Sequence, residues 1–309
     1  MVGKLIRVFG KRVIAGVMVL YVVASLTFAV MKVVPGGPFD KEKELPPAIK
    51  KNIEAKYGLN LPGHKQYLRY LKGILLLDLG PSYKYRSRMV NDILRETFPV
   101  SMKLGVAAFI WAVFWGVSAG TAAGLKPQSG YDKIGMLSAT VGVSVPNFVL
   151  ASFLLFVFAF KLRLFPSGLW ESADSIVLPA ISLGFVPSAY IARLTRSSVL
   201  EIANQPYVIT ARAKGATEVA IVFKHILRSA ITPVVTILGP LLAGLLTGSF
   251  VIEYMFAVPG MGKYFVTAVT DRDYPLIMGV TLTYSALIVI ANIIVDFIYS
   301  ILAPHVKLE

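Results

Sequence analysis

Side chains that could bind a metal ion or carry out acid–base chemistry are few in this 309-residue chain. The three histidines, His64, His225 and His305, lie far apart, and no HExxH zinc-binding pair is present. Each Gly-Lys pair lacks the Ser or Thr that completes a phosphate-binding GxxxxGK[ST] loop. The absence of cysteine excludes disulfides and thiolate metal sites. We therefore expect no catalytic residue, no metal site and no cofactor held by this chain.

Asp296 is the one acidic residue within the longest apolar stretches, and Asn292 lies four residues before it, on the same face of a helix. Ionisable groups in such a setting mark either a transport path or a structural pair. We expect a structural ion pair or hydrogen bond near the cytosolic boundary, with Arg193 or Arg196 as the partner. The alternative is that Asn292 and Asp296 line a translocation path.

A second polar set interrupts other apolar stretches. Ser144, Pro146 and Asn147 suit the wall of a cavity that gates a path, and they equally suit a helix bend that Pro146 imposes. Glu253 opens a segment running to Gly262 that we expect to form a turn at the outer mouth of a path. The candidates for a path or gate are therefore Ser144, Pro146, Asn147, Glu253, Asn292 and Asp296.

Long apolar runs are the elements that must position these residues. Hydrophobic residues make up 56% of the chain and charged residues only 16%, whereas a soluble domain carries about a quarter charged residues. One helical crossing of a bilayer needs about 20 apolar residues, so an ordinary soluble globule is excluded. The sequence predicts an all-α polytopic membrane protein with six transmembrane helices. The predicted spans are 13–31, 104–125, 134–160, 176–192, 229–252 and 276–302.

The distribution of basic residues predicts the orientation. Short loops rich in Lys and Arg stay in the cytosol, and these residues collect at the amino terminus, at Lys126 and Lys133, in segment 193–228 and at Lys307. Both termini are therefore predicted to be cytoplasmic. The net charge of +14 is typical of nucleic-acid binding, but contact with anionic membrane lipid explains it adequately. We expect membrane lipid, and no nucleic acid, as a partner.

Segment 199–230, which we call the elbow, carries the local signals of a helix, a glycine turn and a second helix. Pro206 suits the first position of a helix, Gly215 suits the left-handed residue that ends it, and Thr217 suits the cap of the next helix. A 3.6-residue period gives that second helix an apolar face. The predicted face consists of Val219, Val222, Phe223, Ile226 and Ala230. The elbow is predicted to dock a partner in the cytosol.

Other segments have structural interpretations. Glycines four residues apart allow close helix packing in lipid, and two such stripes occur, one at Gly116, Gly120 and Gly124, the other at Gly244 and Gly248. Helical spacing over 64–77 predicts a helix on the outer surface. We divide the chain into residues 1–97, which hold the first span and an external segment, and a five-helix core at 98–309, which contains the elbow.

Short motifs spread along the chain resemble one family. Tyr207 to Gly215, followed by His225 and by Leu227 to Pro233, looks like the coupling motif of ABC-importer permeases. Further motifs are similar to those of the dipeptide/oligopeptide permeases. They are Gln66-Tyr-Leu68, Asp78-Leu-Gly80, Ser144 to Phe148, Arg193 to Arg196, Glu253 to Gly262, Arg272 to Pro275 and Asn292 to Tyr299.

The resemblance implies a type I ABC importer permease fold and a set of partners. It implies a second, similar permease, two cytosolic ATPase subunits that bind ATP and Mg, and an extracytoplasmic substrate-binding protein. Peptides are the expected cargo, with nickel or oligosaccharides as alternatives. ATP hydrolysis is expected on the partner subunits, so this chain is not expected to be an enzyme.

The same resemblance implies which elbow residues couple to the ATPases. They are Tyr207, Thr210, Ala211, Arg212, Ala213, Lys214, Gly215, His225 and Arg228. In this interpretation the small residues allow a close fit, while Thr210, Arg212 and Lys214 meet polar groups of the partner. The alternatives for the elbow are a solvated connector and a DNA-reading helix-turn-helix. The alternatives for the whole chain are a self-sufficient secondary transporter, a membrane enzyme and a membrane-tethered signalling or DNA-binding protein.

Overall fold

The computed structural model describes residues 2–34, 55, 57–85 and 87–302, and these fold almost entirely into helices. The one extended pairing among them is an isolated bridge between Pro81 and Met89. In chain order the helices are α1 (Val2–Val33), α2 (Gly63–Leu75), α3 (Val90–Leu125), α4 (Gly130–Ser144), α5 (Asn147–Leu154), α6 (Val177–Ala203), α7 (Pro206–Ala213), α8 (Glu218–Ala230), α9 (Thr232–Leu246), α10 (Phe250–Met255), α11 (Met261–Asp271) and α12 (Tyr274–Leu302).

Four helical segments are long and apolar enough to cross a membrane by themselves. They are Phe9–Val33, Val90–Leu125, Ala173–Ala203 and Tyr274–Ile294. Two bent pairs also qualify when each pair counts as one span, namely Gly130–Ser144 with Asn147–Lys161, and Glu218–Ala230 with Thr232–Leu246. The described part of the chain thus holds four to six candidate spans, and the all-α class is confirmed.

The predicted third span is not one straight helix. Its two halves, α4 and the helix that continues α5 to Lys161, meet at an angle of 115°. Val145 is extended, with φ −95° and ψ 125°, because the ring of Pro146 disfavours helical geometry in the residue before it. Pro146 therefore ends one helix and begins another, which is a larger change than the bend expected from the sequence.

The predicted fifth span, 229–252, is also interrupted. Helices α8 and α9 meet at 57° around Ile231, and α9 ends at Leu246. Gly248 then adopts a left-handed φ of +68°, which separates α9 from α10. The apolar run continues through this turn, so hydropathy alone could not reveal the break.

The chain forms two compact units. One comprises residues 1–100 with 259–293, and the other comprises residues 101–258 with 294–309. The first unit thus includes a late segment that the predicted division at 97 assigned to the core. That division of the chain stays a prediction.

The first unit has an apolar core formed by α3, α11 and α12. Its buried members include Val90, Ile93, Met261, Leu276 and Val280. The predicted surface helix is present as α2, and it has no buried residue. It packs against α1, with the Phe28 and Tyr67 rings 5.2 Å apart. This unit therefore carries a short external helix on the first span.

The second unit is organised around α6, against which the glycines of α3 pack. A β-carbon built on Gly116 would lie 2.6 Å from Ile191 Cβ, and one on Gly120 would lie 2.5 Å from the Ala192 carbonyl oxygen. Gly124 meets Val199 in the same way, at 2.7 Å. This confirms the first predicted glycine stripe, because no larger residue fits between the two helices.

The second predicted stripe, at Gly244 and Gly248, is not a packing contact between helices. A β-carbon on Gly244 would have no described atom within 4 Å. Gly248 lies beyond the end of α9 in a left-handed turn, where its neighbour is the carboxylate of Glu253. The four-residue spacing therefore does not reflect helix packing here. Glycine is favoured at position 248 because the backbone is left-handed there.

Candidate functional site

The elbow begins in the last turn of α6, and local sequence signals determine its first half. Gln205 is extended, as expected before a proline, and Pro206 starts α7. After α7, Gly215 adopts φ +80°. The Gly215 N–H donates to the Arg212 carbonyl at 3.0 Å, and the Ala216 N–H donates to Ala211 at 3.2 Å. The predicted glycine turn is confirmed, and it satisfies the last carbonyls of α7.

The second half of the elbow starts at the predicted cap. The Thr217 hydroxyl accepts a hydrogen bond from the Ala220 N–H at 3.3 Å, and α8 follows. From Ile221 to Ile226 the helix adopts π geometry, in which each turn contains an extra residue. The wider turn shifts the apolar register relative to the 3.6-residue period.

The predicted apolar face of α8 is therefore partly wrong. Ile221 is buried together with Ile226 and Ala230. Val219 and Phe223, assigned to the same face by the sequence, are 68% and 70% exposed. The buried face fastens the elbow to its own unit, while Val219 and Phe223 point away from it.

A compact core holds the elbow to the membrane helices. Val199, Val208, Ile221, Ile226 and Ala230 are fully buried against one another. Further apolar residues pack around this core, namely Leu125, Ile202, Ala203 and Ala216. The cluster therefore joins α7 and α8 to the end of α6 and the end of α3. Because close-packed side chains transmit displacement rather than absorb it, a force on the elbow reaches both helices.

The outer surface of the elbow combines apolar and basic side chains. Besides Val219 and Phe223, Tyr207 and Ile209 of α7 are exposed. The exposed basic residues are Arg212, Lys214, Lys224 and Arg228. Exposed apolar groups rimmed by polar ones mark contact sites for proteins. This surface can bind a partner that offers an apolar pocket and acidic groups.

Hydrogen bonds within the elbow occupy two of the residues predicted to meet a partner. Arg212 pairs with Glu218 across the glycine turn, with 2.9 Å between Nε and Oε1. The Thr210 hydroxyl donates to the Pro206 carbonyl at 2.9 Å. Arg212 therefore braces the turn in this structure. Lys214 is exposed at the tip of the turn.

The remaining predicted coupling residues also lie on the elbow. Tyr207 Oη donates to Ser229 Oγ at 3.4 Å, His225 is half-buried and Arg228 is exposed. The structure therefore brings all nine predicted coupling residues into one segment. Their role toward an ATPase stays a prediction.

Four of the predicted path residues with described side chains lie in the second unit, where α5, which begins at Asn147, packs against α10, which carries Glu253. Ser144 and Pro146 are exposed at the α4–α5 bend. The side-chain oxygen of Asn147 is buried there and has no hydrogen-bond partner in the described part of the chain. Glu253 is fully buried within α10. A turn does follow at 256–260, between α10 and α11, and a role of the segment from Glu253 to Gly262 at the mouth of a path stays a prediction.

The arginines expected to pair near Asp296 have partners on α4. Arg196 binds Asp132 through two hydrogen bonds of 2.5 and 2.8 Å, and Arg193 donates to the Thr140 hydroxyl at 3.0 Å. Asn292 is exposed on α12. The side chain of Asp296 lies outside the described residues, so its predicted pairing stays a prediction.

Asp132 is a site residue that sequence reasoning missed, although a signal was present. Ser129 and Asp132 match the Ser-x-x-Asp pattern of a helix start. The Ser129 hydroxyl accepts from the Asp132 N–H at 3.4 Å, and the Asp132 carboxylate accepts from the Gln128 N–H at 2.8 Å. These bonds aim the carboxylate toward Arg196.

Asp273 is a second missed residue. It is fully buried and accepts hydrogen bonds from the Ser82 hydroxyl and from the N–H groups of Tyr83, Lys84 and Leu276. The bond to Leu276 caps α12, and the other three fix the loop before α3. An aspartate two residues before Pro275 at the start of a long apolar run was the signal for the cap.

Comparison with known proteins gives a consistent picture. Residues 112–308 match the model of the family described as "Binding-protein-dependent transport system inner membrane component". The chain is 48% identical to the dipeptide transport system permease protein DppB of Bacillus subtilis, over 97% of both chains. It is 42% identical to the oligopeptide transport system permease protein OppB of Haemophilus influenzae, over 96% of this chain and 98% of that one.

A solved structure shares the fold. A chain from the crystal structure of an amino acid ABC transporter with histidines superposes with a TM-score of 0.53 at 15% identity. The match covers 69% of this chain and 95% of the other. At this identity the likeness concerns the fold alone, and it is the fold of an ABC importer permease.

Proposed function

The chain belongs to the family of binding-protein-dependent transport system inner membrane components, and from this premise we propose that its elbow, residues 199–230, is the docking surface for a cytosolic ATPase subunit. As a family member it is a multi-pass membrane protein and a permease subunit of an ABC importer. The proposal concerns how it is driven, what it carries and which way it faces.

The arrangement of the elbow supports docking. Its inner face is a fully buried core that joins it to α6 and α3, whereas Val219 and Phe223 remain exposed on its outer side. A solvated connector needs neither feature. A DNA-reading segment must free a helix to enter a groove about 12 Å wide, but α8 is continuous within one residue with α9. A protein partner fits best.

The proposed mechanism is a shift between two arrangements of the membrane helices. ATP binding by the partner subunits can favour one arrangement of the membrane helices only if the free energy of the elbow contact differs between the two arrangements. Closure of the ATPases displaces the elbow, and its core carries α6 and α3 along. ATP and Mg are bound by the partners, and this chain contributes no catalytic residue to hydrolysis.

The proposed assembly contains two similar permeases, two cytosolic ATPase subunits and one extracytoplasmic substrate-binding protein. Both termini and the elbow face the cytosol. The cargo is a dipeptide or oligopeptide, because the curated relatives that match nearly the whole chain carry those substrates in their names. Nickel or an oligosaccharide is the second candidate, carried by the same class of importer.

Co-purification of the ATPase subunits tests the docking surface. Phe223→Asp places a charge on the exposed apolar side of the elbow, and we expect it to lose the ATPase subunits while the chain remains inserted in the membrane. Leu75→Asp is the matched control, because Leu75 is also an exposed apolar residue but lies on α2. Retention of the ATPases by Phe223→Asp would contradict the proposed contact.

A further inference from the structure

A cavity of about 400 Å³ lies in the first unit, beside helix α2. Its walls come from the turn at 57–59, from α2, from the loop at 78–83 and from the start of α12. The side chains that matter chemically are Tyr57, Arg69, Tyr70, Lys72, Asp78 and Tyr83. The volume is within the range of small-molecule sites, about 300–1,000 Å³.

The hydroxyl of Tyr70 is the first sign of a ligand. It is buried and has no hydrogen-bond partner among the described residues, while its ring stacks on Phe28 at 5.9 Å. Burial raises the pKa of Tyr70 well above its ordinary value, so the phenol stays protonated and can both donate and accept. An unsatisfied buried polar group is costly. The hydroxyl is closed off from the cavity in this structure, so a small movement of the ring must open it before a ligand in the cavity can remove that cost.

The charge of the cavity is the second sign. Arg69 and Lys72 supply two positive charges, and Asp78 supplies one negative charge. One oxygen of Asp78 already accepts the Gly80 N–H at 3.0 Å. Arg69 has no ion pair with a described carboxylate, and its Nη1 lies 2.6 Å from the place where a β-carbon on Gly58 would stand. The net positive charge of the cavity wall therefore favours binding of an anion. A carboxylate is a particularly good partner, because its two oxygens match the geometry of the Arg69 guanidinium.

Aromatic rings complete the site and argue against a simple inorganic anion. Tyr57 and Tyr83 meet edge to face, with 4.7 Å between ring centroids, and Tyr83 also meets Tyr274 at 6.4 Å. Rings of this kind bind apolar side chains while leaving a polar edge available. The cavity therefore offers a cation, a hydroxyl and an apolar wall together.

We propose that this cavity binds the carboxyl-terminal residue of a peptide on the external side of the permease. The carboxylate pairs with Arg69, the Tyr70 hydroxyl bonds to the neighbouring peptide group, and the apolar side chain lies against the tyrosines. The inference rests on the proposed peptide cargo and extends it, since it places part of the selection on this chain. The rival occupant is an acidic side chain of the external binding protein.

Calorimetric titration of the complete importer in lipid nanodiscs, without the external binding protein, tests the proposal. The probes are a tripeptide ending in phenylalanine and the same tripeptide with a carboxamide end. Arg69→Met is expected to weaken binding of the free acid about tenfold, as for loss of a charge-assisted hydrogen bond. Tyr70→Phe keeps the ring stacked on Phe28 and is expected to weaken it about threefold.

Two controls make the outcome specific. Lys65→Met removes a cation from the same helix that does not line the cavity, and it is expected to leave binding unchanged. The carboxamide is expected to bind the unaltered importer as weakly as the acid binds Arg69→Met, and that variant should not distinguish the two peptides. Equal binding of acid and amide to the unaltered importer would overturn the proposal.

The rival occupant gives a different result. If Arg69→Met abolishes capture of the binding protein but leaves peptide affinity unchanged, the cavity receives a protein side chain and the proposal is wrong. Neither result depends on whether ATPase subunits dock on the elbow. Uptake of the tripeptide by vesicles that contain the complete importer and its binding protein tests the proposed cargo separately. Uptake without the predicted difference between acid and amide would overturn this inference alone, whereas absence of uptake would contradict the cargo.

Discussion

Arg196 of α6 and Asp132 of α4 form a two-pronged ion pair, with 2.5 Å between Arg196 Nε and Asp132 Oδ1 and 2.8 Å between the second nitrogen and Oδ2. The carboxylate is buried, while the arginine is about one third exposed. Because α6 leads directly into the elbow, this pair fixes the helix that carries the proposed ATPase contact. A bidentate geometry adds orientation as well as attraction.

Removal of the carboxylate should loosen α6. We expect Asp132→Asn to lower the unfolding temperature of the purified importer by several degrees and to reduce ATP-driven uptake, because Arg196 would keep its charge without a partner. Differential scanning calorimetry and vesicle uptake measure the two effects. Lys133→Met, at the adjacent exposed position, is the control. Equal stability of the two variants would show that the pair does not hold the helices.

The backbone of Gly215 gives a second prediction. At φ +80° a proline is impossible because its ring fixes φ near −65°, whereas asparagine adopts left-handed geometry readily. No described atom within 4 Å would obstruct a β-carbon. We expect Gly215→Pro to uncouple ATP hydrolysis from uptake and Gly215→Asn to retain coupling. Paired assays of phosphate release and uptake decide, and normal uptake by Gly215→Pro would refute the role of the turn.

The glycine stripe of α3 gives a third prediction. Gly120→Ala would place a methyl group 2.5 Å from the Ala192 carbonyl oxygen, so α3 and α6 must separate. Overpacking of this kind costs about 1–3 kcal/mol. Gly135→Ala is the matched control, since its nearest contact would be an ordinary 3.8 Å. Chemical unfolding in detergent should show a loss for Gly120→Ala alone, and similar losses for both would contradict the packing argument.

Asp273 gives a fourth prediction. Replacement by alanine removes the cap of α12 and leaves the N–H groups of Tyr83 and Lys84 without their acceptor, which should cost about 2 kcal/mol. We expect faster proteolysis within the loop at 82–85, measured by mass spectrometry. Asp271→Asn, two residues earlier and only half-buried, should leave the cleavage rate unchanged. Protection of the loop in Asp273→Ala would mean that other contacts hold it.

Local rules predicted the first half of the elbow from the sequence. Pro206, Gly215 and Thr217 act through their own backbone preferences, and each occupies the expected position. The α8 face was harder, because the π turn at Ile221–Ile226 changes the period on which the prediction depends. Because of the wider turn, Ile221 is buried, whereas Val219 and Phe223, which the 3.6-residue period assigned to the same face as Ile226, are exposed.

Contacts between distant residues could not be predicted from one sequence. Arg196 binds Asp132, 64 residues earlier in the chain, and no local motif indicates that pair. Asp273 likewise anchors a loop about 190 residues earlier in the chain. The resemblance of short motifs identified the family, yet it could not tell which charges pair, because pairing depends on how α4 and α6 pack.

Cysteine crosslinking at Phe223 tests the central claim most directly. The chain contains no native cysteine, so Phe223→Cys introduces a single reactive group on the exposed side of the elbow, and Leu75→Cys provides the control on α2. A short bifunctional crosslinker applied to the complete importer should join Phe223→Cys to an ATPase subunit, and ATP should change the yield. A yield at Phe223→Cys no higher than at Leu75→Cys would contradict the account.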